Sequence, residues 1–210
     1  MSLQKITGPV KDYYTHKVLL HGTSSLGVDW KTRESQELRF EQLLRICPAR
    51  GEFSILDWGC GYGYLFEFMR KKKLSFRYLG YDLSPEMIQE ARASYGKYAQ
   101  AKFKAGTMAA GAKADYVTAS GIFNVKLKAS QGDWKKYMLN ILAGMDQRAR
   151  KGFSFNCLTK YSDKERMRSD LYYADPLFLF DHCKRNFSKN VALLHDYGLY
   201  EFTILVRKDL

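Results

Sequence analysis

Ile55-Leu56-Asp57-Trp58-Gly59-Cys60-Gly61-Tyr62-Gly63-Tyr64-Leu65 decides how the rest of this chain is read. An apolar strand runs into an acidic residue, a turn follows with glycine at every second position, and a helix begins. Gly59, Gly61 and Gly63 let the backbone turn sharply and approach a ligand where a Cβ would collide. The spacing is D-x-G-x-G-x-G. A dinucleotide fingerprint, G-x-G-x-x-G, would need its third glycine at position 64, which is Tyr64.

The next element narrows the reading. Phe76 to Tyr81 forms a second short strand and Asp82 closes it, nineteen positions beyond Gly63. That is close to the roughly 20-residue interval at which a carboxylate meets ribose hydroxyls in such units. A carboxylate suits the task because it accepts from two vicinal hydroxyls at once. Ser84 is an apt N-cap and Pro85 an apt first helical residue. Met87, Ile88, Ala91 and Tyr95 then mark an apolar helix face, and Gly96 suits its end. The layout fits an adenosyl cofactor lying across the ends of the strands.

The glycine loop and the segment Gly80-Tyr81-Asp82-Leu83-Ser84-Pro85-Glu86-Met87 resemble the first two motifs of the class I S-adenosylmethionine-dependent methyltransferases. The resemblance implies S-adenosylmethionine as cofactor, with contacts from Asp57, Gly59, Cys60, Gly61, Gly63, Tyr64, Asp82, Leu83 and Met87. Asp57 would receive the methionine ammonium, directly or through water. In related enzymes the loop after the third strand meets the adenine ring; here it is Gly106-Thr107-Met108, without the acidic residue many of them carry. Ser120, at the end of the fourth strand, would face the transferable methyl. Arg39 or Arg33 would pair with the methionine carboxylate, since arginine matches a carboxylate bidentately.

At 210 residues with 46% hydrophobic content, the chain fits one domain with a sizeable core. The expected organisation is a single domain over 1–210. Residues 1–48 form an N-terminal cap and helix, 53–158 the cofactor-binding core, 159–187 an aromatic insertion or lid, and 188–210 the C-terminal strands. No apolar run approaches the ~18–20 residues that span a bilayer. Cys47, Cys60, Cys157 and Cys183 lack C-x-x-C spacing, which argues against zinc or a disulfide framework and for a cytoplasmic home. The net charge of +12 favours anionic partners, yet its only dense run, Arg70-Lys71-Lys72-Lys73, reads as a solvated helix end.

The walk along the chain gives an α/β doubly wound domain, with a seven-stranded, mostly parallel, Rossmann-like sheet and an antiparallel last strand. Residues 4–33 show no strong period and read as loop-like around Gly22, Ser24-Ser25 and Gly27; with 159–187 they are expected to close over the strand ends and form the acceptor pocket. Phe40, Leu43, Leu44 and Cys47 mark a helix stopped by Pro48. Strands are expected at 101–105, 114–119 and 153–158, with Asp133 capping a long helix that Gly152 ends. Asp175-Pro176 opens another helix, and Val191–Tyr197 and Tyr200–Arg207 read as the final two strands. The aromatic 159–187 segment suits a substrate wall, or equally a homodimer contact.

Methyl transfer from a sulfonium needs alignment and exclusion of water more than covalent help. For a hydroxyl acceptor a general base would assist, and His195 then His21 are the candidates. Tyr13, Trp30, Ser120, Asn124 and Tyr172 are the candidate substrate contacts. Three functions stay open. The first is methylation of a small molecule, anionic or sugar-like. The second is methylation of RNA or DNA, which the charge favours but Ser120-Gly121-Ile122-Phe123-Asn124 opposes, because it is not N-P-P-Y. The third is a non-catalytic binding partner that keeps the fold.

Overall fold

A computed structural model describes residues 3–107 and 111–208. Its strands are β1 (Phe53–Trp58), β2 (Phe76–Asp82), β3 (Ala101–Ala105), β4 (Ala114–Ala119), β5 (Ala149–Leu158), β6 (Asn190–Leu194) and β7 (Glu201–Arg207). They form one sheet in the order β3-β2-β1-β4-β5-β7-β6. The pairs from β3 to β5 are parallel, and β7 runs antiparallel to both β5 and β6. The order reverses between β1 and β4, so a crevice opens at their C-terminal ends, where open α/β sheets bind ligands.

Helices α3 (Tyr64–Lys71) and α4 (Pro85–Tyr95) follow β1 and β2. On their side of the sheet Phe66 is fully buried, with its ring 5.6 Å from both Phe76 and Tyr78. On the other face α5 (Gln131–Arg148) and α6 (Pro176–Asn186) bury Trp134, Met138, Leu142 and Leu179 against Phe153, Phe155 and Phe202. Local chemistry sets the helix starts. Ser84 Oγ accepts from the Met87 N–H, and Asp175 accepts from the Leu177 and Phe178 N–H groups; each is followed by proline at the first helical position.

Three boundaries differ from the sequence reading. First, most of the stretch 4–33, where no strong period shows, is helix α1 (Leu3–His21), with Pro9 inside it; the loop-like part around Gly22 follows its end. A mid-helix proline removes a donor and costs about 3 kcal/mol, so tertiary contacts must hold this helix. They do: Ile6 and Val18 are buried, the Thr15 hydroxyl lies within hydrogen-bond distance of Ser84 Oγ and the Glu86 carboxylate, and the Tyr13 hydroxyl donates to Asp29. Second, α2 (Arg33–Leu44) begins earlier than its apolar spacing shows, because Thr32 caps it by accepting from the Ser35 N–H. Third, Ser130 rather than Asp133 caps α5, and Gly152 lies inside β5 instead of ending the helix. A Cβ at Gly152 would stand 2.5 Å from the Val206 carbonyl oxygen, so this glycine serves close strand packing.

Candidate active site

The turn after β1 is held by the end of β2. Gly59, Gly61 and Gly63 all have positive φ, between 54° and 82°. The Tyr81 carbonyl accepts from the Gly59 and Cys60 N–H groups at 2.7 and 3.0 Å. Asp82 completes the clamp, with Oδ2 accepting from the Gly61 N–H and Oδ1 from the Ser84 N–H, both at 2.9 Å. Burial raises the Asp82 pKa, and the backbone donors of Ser84, Gly61 and Leu83 pull against that rise. A carboxylate offers about four acceptor positions, so with these donors in place roughly one is left for a ligand.

Asp57 is 2% exposed at the C-terminal end of β1. Its Oδ2 accepts from the Tyr78 hydroxyl at 2.5 Å, while Oδ1 is buried with no hydrogen-bond partner. Burial pushes its pKa up to about 7; the charge on Asp82 adds to the rise, and the Tyr78 hydrogen bond opposes it. A buried, half-satisfied carboxylate is costly in isolation and suits a cationic ligand group.

Over these residues lies a cavity. Its floor is Gly59, Gly61, Tyr81, Asp82, Leu83 and Met87, with Gly106 and Thr107 after β3 and Ser120, Gly121 and Ile122 after β4. Thr7, Val10, Lys11 and Tyr14 of α1 close it from above, at i, i+3, i+4 and i+7 on one helix face. Val28 and Trp30 line it on one side; Trp58 of β1 and Tyr137, Ile141 and Arg148 of α5 add further wall. Burial and the Asp82 charge push the Tyr137 phenol up to about 12, and burial also raises Tyr14, so both rings stay neutral donors.

A buried network fixes Trp30 and the turn after β4. The Arg39 guanidinium stacks 3.9 Å from the Trp30 ring and pairs with Glu201 at 2.8 Å. Glu201 Oε2 accepts from Asn156 Nδ2 at 2.5 Å, and Asn156 Oδ1 accepts from the Gly121 N–H at 2.8 Å. Trp30 lies so close to Gly121 that a Cβ there would meet its ring at 2.4 Å.

Of the residues read from sequence, Gly59, Gly61, Asp82, Leu83, Met87, Gly106, Thr107, Ser120 and Trp30 line the cavity. Met108 lies outside the described residues. Asp57 sits beneath the loop, not on the lining. Cys60 is buried against Gly80, Gly63 packs on the Phe103 ring, and Tyr64 donates to Glu37. Arg39 is committed to Glu201, and Arg33 stacks on Tyr64, so neither presents a free cation to the cavity. Tyr13 bonds Asp29. Asn124 is buried with Oδ1 accepting from the Leu158 N–H, and Tyr172 is buried in the core.

The histidines are also elsewhere. His21 is exposed at the end of α1. His195 follows β6, which is parallel to the core strands as expected, but that strand is three spacings, roughly 14 Å, from β4. No residue of 159–187 lines the cavity; α5 supplies the wall expected of that segment. The expectation that 4–33 covers the strand ends points to the right segment, but its lining residues Thr7, Val10, Lys11, Tyr14 and Val28 are not among the site residues named from sequence. Nor are Trp58, Tyr81, Gly121, Ile122, Tyr137, Ile141 and Arg148. The α1 stripe has helical spacing but mixed polarity, so no apolar period announces it.

A methyltransferase-domain family model matches residues 55–147, from within β1 to the last turn of α5. A candidate methyltransferase of Mycobacterium tuberculosis, Rv1506c, is 52% identical over 165 residues, covering 79% of this chain and 99% of that protein. The chain belongs to the class I S-adenosylmethionine-dependent methyltransferases. Solved structures share the fold of this methyltransferase at low identity. Magnesium protoporphyrin IX methyltransferase from Synechocystis PCC 6803, with bound SAH, superposes at a TM-score of 0.68 and 14% identity, over 96% of this chain and 100% of that one. The N-methyltransferase NodS from Bradyrhizobium japonicum, in complex with S-adenosyl-L-homocysteine, gives 0.65 and 14%, over 94% and 97%. Among the described residues no helix of this methyltransferase is long and apolar enough to cross a membrane, and no cluster of three metal-ligating side chains forms.

Proposed function

We propose that the enzyme methylates a small-molecule acceptor carrying an anionic group, held between α1, α5 and the glycine loop. The observation that carries this reading is the cavity's charge. Lys11 and Arg148 line it, one cation for the cofactor's carboxylate and one left for the acceptor, while the one carboxylate among the described lining residues, Asp82, is already engaged by backbone donors. Its remaining walls are largely aromatic and aliphatic, as in small-molecule pockets generally.

The residues fit the cofactor. Asp57 Oδ1 is an unpartnered buried acceptor for an ammonium, and Asp82 keeps acceptor capacity for a ribose hydroxyl. Gly61 leaves open the space above the loop, and Lys11 takes the place first given to Arg39 as partner of the methionine carboxylate. When bound, the cofactor supplies a methyl group on a sulfonium, already an excellent leaving group. Met87 and Leu83 would pack beside it, Ser120 and Gly121 would bound the acceptor's approach, and α1 would keep bulk water out. No histidine lies on the lining, so the chain contributes alignment rather than a base, and the acceptor's proton is lost to bulk solvent when the methylated product leaves the cavity.

The test is turnover of labelled S-adenosylmethionine with a metabolite extract separated by charge. Label should enter the anionic small-molecule fraction. Label entering only the RNA fraction, with salt-sensitive retention of RNA on the protein, would replace this reading with nucleic-acid methylation.

A further inference from the structure

Two arginines stack on cavity tryptophans, and among the described residues only one of them has a counter-ion. Arg39 lies over Trp30 and is paired with Glu201. Arg148, the last residue of α5, lies 5.4 Å from the Trp58 ring and lines the cavity. Its Nη1 donates to the Gly144 carbonyl at 3.1 Å, a common bond for a basic side chain in a last helical turn. Its Nε is buried without a hydrogen-bond partner, and among the described residues no carboxylate pairs with it.

The surroundings are apolar. Trp58, Ile122, Tyr137 and Ile141 share this wall. Trp58 fits there because position 144 is glycine: a Cβ would come within 3.0 Å of the ring. Glycine inside a helix is unfavourable unless packing requires it, so the indole's position is built into α5. A guanidinium on an apolar wall, with one donor unmet, is completed by a flat acceptor that takes two parallel N–H bonds.

Resting on the small-acceptor reading above, we propose that Arg148 selects the acceptor. The substrate class is an aromatic or alkyl carboxylic acid whose carboxylate lies on the Arg148 guanidinium and whose body lies against Trp58 and Ile141. The methyl-accepting atom is then at the other end of the molecule, toward the glycine loop. A carboxylate is favoured over a phosphate because one planar fork meets it and the neighbouring wall adds no further cation.

The test uses 3-phenylpropionate, its neutral counterpart 3-phenylpropan-1-ol, and phenethyl phosphate, titrated calorimetrically into full-length protein with and without S-adenosylhomocysteine. The acid should bind wild type at least tenfold more tightly than the alcohol. In Arg148→Met the two should fall within twofold of each other, and Arg148→Lys should keep only part of the preference. Equal binding of acid and alcohol to wild type, or a preference that survives in Arg148→Met, would overturn the proposal; so would a tenfold advantage of the phosphate over the acid. Unchanged affinity of Arg148→Met for S-adenosylhomocysteine establishes that the variant is folded. If wild type fails to bind S-adenosylhomocysteine, the cofactor reading fails separately, and the acid–alcohol comparison without it still decides Arg148.

Discussion

Replacing Asp57 by asparagine should stabilise the ligand-free protein while removing its cofactor affinity. The carboxyl is held in a dry site where its pKa rises from 3.8 to about 7, with burial the largest cause. A group whose folded pKa is raised contributes fully below its unfolded value and loses that contribution as pH climbs through the folded one. Each unit between the two is worth about 1.4 kcal/mol, so from pH 5 to pH 8 the wild type should lose roughly 3 kcal/mol at this residue. Asparagine does not titrate. Its own cost, an amide nitrogen where Oδ1 lacks a partner, is the same at both pH values and cancels in the comparison. The stability gap between Asp57→Asn and wild type should therefore widen by roughly 3 kcal/mol, a relative melting-temperature shift on the order of 5–10 °C. Thermal melts at pH 5 and pH 8 measure it, and calorimetry with S-adenosylmethionine supplies the other half. Wild-type affinity should strengthen as pH rises toward 7 and then level off, whereas the variant should bind weakly throughout. A gap that stays constant between pH 5 and pH 8 would refute the claim that Asp57 is a desolvated carboxylate waiting for a cation.

Other outcomes follow from the same geometry. Asp82→Ala should weaken cofactor binding by at least about 1.5–3 kcal/mol, the range for hydrogen bonds to a charged group, and it also frees the Gly61 N–H; equal affinities in calorimetry would remove Asp82 from the site. Gly61→Val places a branched side chain at a positive φ, with even its Cβ 3.2 Å from Val28, so cofactor binding should vanish while circular dichroism shows the fold retained. Glu201→Gln leaves the buried Arg39 charge unpaired and should cost about 3–5 kcal/mol in denaturant titrations. A stability within about 1 kcal/mol of wild type would show that Arg39 finds other compensation.

The parts of this fold legible in the sequence are those where local chemistry decides. Ser84-Pro85 and Asp175-Pro176 announce their helices because cap and first-turn residues act within four positions. Asp57, Gly61 and Asp82 are legible because the turn and the carboxylate have to stand at fixed spacing. What stays hidden depends on contacts distant in sequence. Pro9 and Gly8 disguise α1, whose support comes from Ser84, Glu86 and Asp29. Arg39 looks like a free cation until Glu201, 162 positions away, is brought against it. Arg148 looks like an ordinary helix-ending charge until Trp58 and the cavity lie beside it. His195 stands at the correct edge of the sheet but on the wrong strand, a distinction that only the strand order makes.

The placement of the tryptophans gives the protein an optical reporter of its own. The chain has three. Trp30 and Trp58 line the cavity, whereas Trp134 is walled into the core with its indole N–H donated to the Phe123 carbonyl at 2.8 Å. Any molecule entering the cavity changes the polarity around two emitters and leaves the third as a constant background. Trp30→Phe and Trp58→Phe would then assign the emission change to one wall or the other, so occupancy can be followed without labelling the protein and before its natural acceptor is known.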